Sequence, residues 1–496
     1  MSFQPKTIPF GSFAPDQSDY DPSLADNVIG AMPITNGWGP IAQFSEFGSG
    51  LPTACRGYIT VRTTAGGYAS YAGTATKLYK YNTGTSSWDE KTWVSGDYTT
   101  PSGYNWSFFQ FGNTLIACNG VDSNQSVDVD STDVFAALAG SPPIARYVSG
   151  MGEHVVLSNF DAGNEPRSMQ VSGYGNAEYW TDGQQGSDKQ EFPIGGELTG
   201  FWGHEHGGVV FQRNMMQAVT LSSDSNYTFD RHVIQNNIGS IGEPSIIKFR
   251  NTFFFLSDGG FYQGPEATPI GDEWINRYLL EKADLTALPN TVGASDPINK
   301  IAWWIYLTNG AKYEMIGYNW VLNQWCMTDM LGSASAMIPT FIASGNTPGY
   351  TLEGLDAISS TIEGLPYSLD SRAWKGGQLA LAGFSSTGAF GFSQGGALQA
   401  TFETNDVALI PGRRSLVQGF RLVSDAGTNV TGKIAGRDAP GQSLEWSNAI
   451  TPNSNSQKMT KPTRGRTHRI QATIAESTEW SHVNGVEVLY KQAGNR

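Results

Sequence analysis

The chain has 496 residues and a formal net charge of −14, with 39% hydrophobic, 12% aromatic and only 15% charged residues, and 59 glycines. So acidic a chain lacks the Lys and Arg arrays that hold nucleic acid without sequence preference, and apolar runs such as IAWWIYL are too short to cross a bilayer. Many glycines and few charges favour short strands joined by tight turns, so we predict an all-β protein with more than one core. We expect synthesis and folding in the cytoplasm, because the start of the chain has no apolar stretch of signal-peptide length.

Residues 1–50 are rich in Pro, Gly and Phe, with aromatic residues scattered between structure breakers. Such a segment can hardly build a core of its own, so we predict an extended arm that docks on a partner. The candidate interface residues are its aromatic side chains: Phe3, Phe10, Phe13, Tyr20 and Trp38.

Residues 51–340 carry a weak repeat. A small or polar turn, four to six apolar residues and a second polar break recur at intervals of about 40 to 55 residues, as in FGNTLIACNG, GEHVVLSNF and RNTFFFLSDGG. Several short strands in such a period are typical of a β-propeller, and about six blades can be counted. A pair of sandwiches with long hairpins would give some of the same signals.

Two hairpins and one helix stand out within this range. Tyr81 with Trp88, and Tyr318 with Trp325, each place two large rings seven residues apart around a polar turn, which predicts cross-strand aromatic pairs. The segment PIGDEWINRYLLEK predicts a helix on the propeller rim whose first turn is capped by Asp272.

The remaining chain divides into two parts. Residues 341–397 are dominated by glycine and small residues, which indicates a connecting segment. Residues 398–496 contain alternating stretches such as RSLVQGFRLVSD and THRIQATIAES, enough strands for a β-sandwich-like region.

The sequence shows no catalytic constellation and implies no cofactor. Walker-type and HExxH motifs are absent, and Cys55, Cys118 and Cys326 read as buried free thiols. The pair His204 and His206 could ligate a metal but more often marks a solvated turn. The acidic run 121–133 could bind calcium, yet it lacks the EF-hand offsets and favours a hydrated loop. The basic run 461–469 predicts an exposed hairpin, either simply solvated or touching nucleic acid or an acidic partner.

Six segments follow one another along the chain: WSFFQFGNTLIACNGVDSNQSVDV, ARYVSGMGEHVVLSNF, SGYGNAEYW, GGVVFQRNMMQAV, LSDGGFYQGPEATPIGDEWINRYL and GYNWVLNQWCMTD. This ordered series resembles the tail hub or nozzle proteins of short-tailed bacteriophages, also called packaged-DNA stabilisation proteins. The resemblance spans about residues 75 to 390. It implies a non-enzymatic virion protein in the tail, with six copies below the portal and adaptor, that retains packaged DNA and lets double-stranded DNA pass without specific binding. Tail fibres or spikes are further implied partners.

Two other functions remain open. A kelch-like or carbohydrate-binding propeller would act as a monomeric recognition module with aromatic rings at the channel mouth. A glycan hydrolase on a propeller is the weaker alternative, because Asp-box turns of the form SxDxGxxW are absent.

Overall fold

The computed structural model describes residues 2–18, 20–222, 228–249, 251–330, 337–347, 359, 361–364, 368 and 377–494. It is 51% strand and 4% helix, so the all-β prediction is confirmed. Much of the predicted connecting segment 341–397 lies outside the described residues.

The first six strands belong to the predicted arm: β1 (Gln4–Pro9), β2 (Ser12–Phe13), β3 (Leu24–Ile29), β4 (Ala31–Ile34), β5 (Gly37–Pro40) and β6 (Ala42–Glu46). All of them except β4, which pairs only with β5, pair with strands outside the arm. Their partners are strands from both later parts of the chain.

Seven units of four strands follow, numbered 1 to 7 in chain order. Unit 1 comprises β7 (Gly57–Arg62), β8 (Tyr68–Gly73), β9 (Leu78–Asn82) and β10 (Ser87–Glu90), and unit 2 comprises β11 (Ser107–Phe111), β12 (Thr114–Cys118), β13 (Gln125–Asp128) and β14 (Ala136–Ala137). Unit 3 comprises β15 (Ala145–Met151), β16 (His154–Phe160), β17 (Glu165–Val171) and β18 (Asp188–Glu191), and unit 4 comprises β19 (Leu198–His204), β20 (Gly207–Gln212), β21 (Met215–Leu221) and β22 (Phe229–Asn236). Unit 5 comprises β23 (Ile247–Phe249), β24 (Thr252–Ser257), β25 (Gly260–Gln263) and β26 (Thr268–Pro269), and unit 6 comprises β27 (Val292–Asp296), β28 (Ile301–Leu307), β29 (Tyr313–Asn319) and β30 (Gln324–Thr328). Unit 7 joins β31 (Phe341–Asn346), β32 (Leu379–Phe384) and β33 (Phe390–Ala397) to β6 of the arm.

The units follow one another in a propeller-like succession. The first strand of one unit contacts the first strand of the next from unit 1 to unit 4 and from unit 5 to unit 7, and β31 of unit 7 contacts β7 of unit 1. Between units 4 and 5 the 3₁₀ turn Glu243–Ser245 contacts both β19 and β27. The sequence predicted about six units. Unit 7 was hidden because its fourth strand comes from the arm and its other three lie within the predicted connecting segment.

The last six strands are β34 (Ala400–Thr404), β35 (Ser415–Ser424), β36 (Val430–Arg437), β37 (Met459–Gly465), β38 (Thr467–Ile474) and β39 (Val483–Gln492). One sheet has the order β37-β35-β39-β5-β4, with β1 also paired to β39. The other sheet has the order β27-β28-β29-β30-β2-β3-β34-β38-β36. Its nine strands come from unit 6, the arm and the C-terminal region, which are thus joined in one sheet. Buried side chains of both sheets, such as Phe402, Phe420 and Val486, belong to one core.

The strand pairing of the arm depends on close backbone approach. β1 runs antiparallel to β39 with Ile8 opposite Val486 and Pro9 opposite Gly485. A Cβ atom at Gly485 would lie 2.2 Å from the carbonyl oxygen of Ile8. Glycine is therefore required at this position for β1 to pair, since any side chain would push the strand away.

Both predicted aromatic pairs are confirmed. Tyr81 lies directly opposite Trp88, and Tyr318 lies opposite Trp325. The ring centroids of the two pairs are 5.2 Å and 5.0 Å apart. These contacts fix the register of β9 with β10 and of β29 with β30.

The structure places a helix, α1 (Asn276–Lys282), inside the segment in which one was predicted, but it is capped by a different residue. The carboxylate of Asp16, in the arm, accepts hydrogen bonds from the backbone N–H groups of Arg277 and Tyr278, both at 2.8 Å. Asp272, the predicted cap, instead accepts from the side-chain amide of Asn276 at 2.7 Å. The sequence could not show this, because the capping group lies about 260 residues away in the chain. The other short helical turns are Asp161–Gly163, Leu288–Asn290 and Ile362–Gly364.

Replacing Asp16 with alanine removes the acceptor of two helix N–H groups and one anchor of the arm. We expect the free energy of unfolding to fall by about 0.5 to 2 kcal/mol, the usual effect of losing a helix cap. Chemical denaturation measures this. The matched control is Asp133→Ala, since Asp133 is exposed and its carboxylate accepts no hydrogen bond from the described residues. Equal losses in the two variants would contradict the capping role.

Candidate interaction surfaces

Three of the five predicted interface residues are buried inside the chain. Phe10, Phe13 and Trp38 are 5%, 1% and 2% exposed. Phe10 stacks on Phe402 with ring centroids 5.1 Å apart, and Phe13 meets the edge of Tyr278 at 6.2 Å. These residues cannot reach a partner, which corrects the prediction. The arm docks on its own chain, because pairing with β30, β34 and β39 buries its aromatic side chains.

The other two predicted residues, Phe3 and Tyr20, lie nearer the surface. Phe3 is half-buried, with the Lys491 ammonium 4.7 Å from its ring centroid. Tyr20 is 52% exposed, and the guanidinium of Arg437 lies 5.5 Å from its ring centroid. Both rings therefore contact cations of the C-terminal region through cation–π geometry. The five predicted residues therefore do not form one interface, since Phe10, Phe13 and Trp38 are buried.

A buried ionic cluster lies beneath the loop that carries Tyr20. The carboxylate of Asp406 pairs with Arg437 and, at 3.3 Å, with Arg469. Arg469 also contacts Glu403 at 3.5 Å and Asp26 of the arm at 3.1 Å. Three carboxylates thus share two guanidinium groups, and the arm supplies one of the carboxylates.

Sequence reasoning missed this cluster. The basic run 461–469 was predicted to be an exposed hairpin, and Lys461, Arg464 and Arg466 are indeed exposed. His468 and Arg469 at its end are buried, because β38 enters the core after Gly465. One feature of the sequence could have indicated this burial. The basic residues at the end of the run lead directly into an alternating strand whose apolar face contains Ile470, Ala472 and Ile474.

Burial shifts the ionisation of two groups in and beside the cluster. Burial, reinforced by the negative charge of Asp26, raises the pKa of Glu403 to about 7. Burial lowers the pKa of His468 to about 4, and its Nε2 lies 2.8 Å from the hydroxyl of Ser415. Glu403 also accepts a hydrogen bond from the side-chain amide of Gln471 at 3.0 Å. The cluster therefore changes charge near neutral pH.

The variant Glu403→Gln tests this shift. Between its usual pKa of 4.5 and about 7 the folded chain holds a proton on Glu403 that the unfolded chain releases. The contribution of this group to the free energy of unfolding consequently falls as pH rises through that interval. We expect the variant to gain stability over the wild type, on the order of 2 kcal/mol, between about pH 5 and about pH 8.

Denaturant titrations of both proteins at the two pH values measure that gain. His468 titrates in the wild type and in the variant alike, so its own effect cancels in the difference. The exposed Glu445→Gln serves as the control and should show no such trend. A stability difference between Glu403→Gln and the wild type that does not depend on pH would count against the shift.

An opening lies where the first strands of five units converge. It encloses about 380 Å³ and is lined by residues of β7, β11, β23, β27 and β31. Its aromatic lining residues are Tyr58, Trp106, Phe108 and Phe341, and Glu243 pairs with Lys248 beside them at 3.3 Å. The opening is large enough for a small molecule of mixed polarity.

The remaining sequence candidates are placed as follows. His204, the last residue of β19, and His206, in the turn that follows, are exposed. In the acidic run, Asp128 accepts a hydrogen bond from Asn113 at 2.6 Å, and Asp130 accepts one from Thr64. Among the described residues there is no group of three or more His, Cys, Asp and Glu that could hold a metal ion.

The three cysteines are buried free thiols, as predicted. Burial raises the pKa of Cys55 to about 12 and also raises the pKa of Cys118 and Cys326. A thiol in this state is a poor nucleophile, since the thiolate is the reactive form. No described helix is long and apolar enough to cross a membrane.

No family model matches the chain, and no curated protein matches it either. Among solved structures it is similar to the extracellular domain of the putative one component system BT4673 from B. thetaiotaomicron, with a TM-score of 0.40 and 10% identity, covering 84% of this chain and 47% of that one. It is similar to BamB from Moraxella catarrhalis, with a TM-score of 0.38 and 9% identity over 78% and 97% of the two chains. The computationally designed Ika8 protein gives a TM-score of 0.35 and 8% identity over 71% and 99%. Likenesses at this level carry no functional argument.

Proposed function

We propose that this chain is a structural virion protein, a tail hub or nozzle subunit of a short-tailed bacteriophage. Six copies would surround the path of DNA ejection below the portal and adaptor and help to retain the packaged genome. Fibres or spikes would attach to the outside. The proposal contains no catalytic step and no cofactor. It places the protein in the virion tail after synthesis in the host cytoplasm.

The finer architecture is part of the proposal. The seven units would close as blades of a propeller, with β6 of the arm completing the last blade beside the first. Such closure leaves only short, protected strand edges, which suits a subunit that must remain monodisperse before assembly.

The observation that carries the proposal is the way in which the arm joins the ring of units to the C-terminal region. β2 and β3 lie between β30 and β34 in one sheet, and a single hydrophobic core extends through unit 6 and both C-terminal sheets. Domains in one chain move relative to each other unless their interface is large and apolar. A joint made of shared strands and a shared core favours a rigid building block, as a tube under internal pressure requires.

The acidic balance also favours passage of DNA over binding. Six copies would carry six times −14 formal charges. Carboxylates that face the lumen would repel phosphate groups within a Debye length of roughly 10 Å.

One observation favours the alternative of a carbohydrate-binding or kelch-like recognition module. The opening between the first strands is flanked by Tyr58, Trp106, Phe108 and Phe341, and aromatic rings are common platforms for sugars. This function needs no assembly, so oligomeric state separates it from the tail proposal.

Assembly on a template tests the proposed function. Because the tail role needs a ring below the adaptor, we expect the purified protein to form rings with a central hole when the portal and adaptor complex is added. Light scattering and negative-stain images measure this, with an unrelated ring protein of similar size as control. Particles lacking the protein should lose their DNA. A protein that stays monomeric with the complex and binds immobilised glycans instead would support the recognition module and overturn the tail role.

A further inference from the structure

The charge of this chain is unevenly divided. Residues 398–496 hold 12 Lys or Arg against 8 Asp or Glu, a net +4. Residues 1–397 hold 19 against 37, a net −18. The C-terminal region is therefore basic on an otherwise acidic protein, and each copy carries both signs.

The positive charges gather at one corner of the six-stranded sheet, which we call the basic corner: Arg413, Lys461, Arg464, Arg466 and Lys491. Strand pairing brings them together, since Leu416 of β35 lies opposite both Arg464 of β37 and Lys491 of β39. None of the five forms a salt bridge with a described residue. By contrast, the neighbouring Arg414 is paired with Asp438 at 2.5 Å.

Negative charges gather where three connections meet at one end of units 3 and 4. We call this region the acidic end: Glu153, Glu178, Asp182 and Glu205, all exposed. The backbone N–H of Gly175 donates to the carbonyl of Glu153 at 2.8 Å, which joins the turn after β15 to the loop after β17. The N–H of Gly152 donates to the carbonyl of His204 at 3.1 Å, which adds the turn after β19.

The acidic end also has the features of a protein contact. Its four carboxylates form no salt bridge with the described residues. Tyr174, in the loop after β17, is 70% exposed beside them. Tyrosine and arginine dominate the energetically important positions of protein interfaces, and an exposed tyrosine ring offers apolar area with a hydrogen-bonding tip.

We propose that the basic corner of one copy docks on the acidic end of the next copy. The contact joins two different surfaces of the same chain, and such head-to-tail contacts close into rings when the rotation between copies is suitable. This inference rests on the proposed function, because it supplies the subunit contact of the ring. Complementary charge would set the register and speed the encounter of copies.

A nucleic acid is the other occupant that a basic corner could take. Five cations are few for a phosphate backbone, and a duplex long enough to leave the corner would meet a surface with a large excess of carboxylates. A second copy presents the four exposed carboxylates of the acidic end. The described surfaces therefore favour the second copy.

Charge exchange between two variants tests the contact. Variant one carries Arg464→Glu and Lys491→Glu, and variant two carries Glu153→Lys and Glu178→Lys. Each alone places like charges at the contact, so we expect self-association to weaken about tenfold or more. An equal mixture should regain it, because both kinds of junction in an alternating ring again join opposite charges.

Sedimentation velocity measures association with and without the portal and adaptor complex. Raising the salt from about 50 mM to about 500 mM should weaken wild-type association. The matched control is Lys300→Glu with Lys312→Glu, two exposed lysines of unit 6 that form no salt bridge with described residues. It should associate like the wild type.

The outcomes separate this inference from the proposed function. If the wild type forms rings that high salt does not weaken, and both charge-reversed variants form them equally well, the proposed contact is wrong and the tail role is unaffected. Absence of wild-type rings on the template would overturn the tail role, and a mixture of the two variants that still associates would support the contact on its own. If variant one loses binding to a short DNA duplex while its self-association is unchanged, the corner serves nucleic acid and the inference fails.

Discussion

The backbone edge of a β-strand must be paired, covered or protected, and the structure of this chain depends on how its arm meets that constraint. β6 pairs with β33 at the open edge of unit 7. β2 and β3 lie between β30 and β34, and β1 lies along β39. Without these strands, the edges of β33, β30, β34 and β39 would lose these partners. The arm therefore stabilises units 6 and 7 and the C-terminal region together.

The same pairing explains the fate of the aromatic residues that were predicted to bind a partner. The arm strands pair with edges of later strands and turn one face into the core, so Phe13 of β2 and Trp38 of β5 become core residues, as does Phe10 between β1 and β2. Two carboxylates of the arm also contact later parts of the chain. Asp16 binds the first turn of α1, and Asp26 joins the ionic cluster around Arg469. Both carboxylates fix the arm by charge-assisted contacts, which are stronger than neutral hydrogen bonds.

The arm also bears on the role proposed for the protein. If the seven units and the C-terminal region of one chain moved independently, a contact between two copies could not hold a fixed geometry. A shared sheet and core join unit 6 firmly to the C-terminal region that carries the basic corner. Ring closure needs this, because small errors in the angle between copies accumulate around a ring. The buried ionic cluster lies at the same joint, so its protonation near neutral pH affects the part of the chain on which that rigidity depends.

What the sequence determined by itself was local. Alternating apolar residues, glycine turns and the spacings of Tyr81 with Trp88 and Tyr318 with Trp325 gave the all-β class and two hairpin registers, because partners in a hairpin are only a few residues apart. Burial of the cysteines followed from their apolar neighbours. Tertiary structure decided everything that joins distant parts of the chain: the completion of unit 7 by β6, the capping of α1 by Asp16, and the meeting of Asp26 with Arg469. Periodicity shows that a strand exists and which face is apolar, but the choice of partner edge depends on which edges remain open once the whole chain has folded.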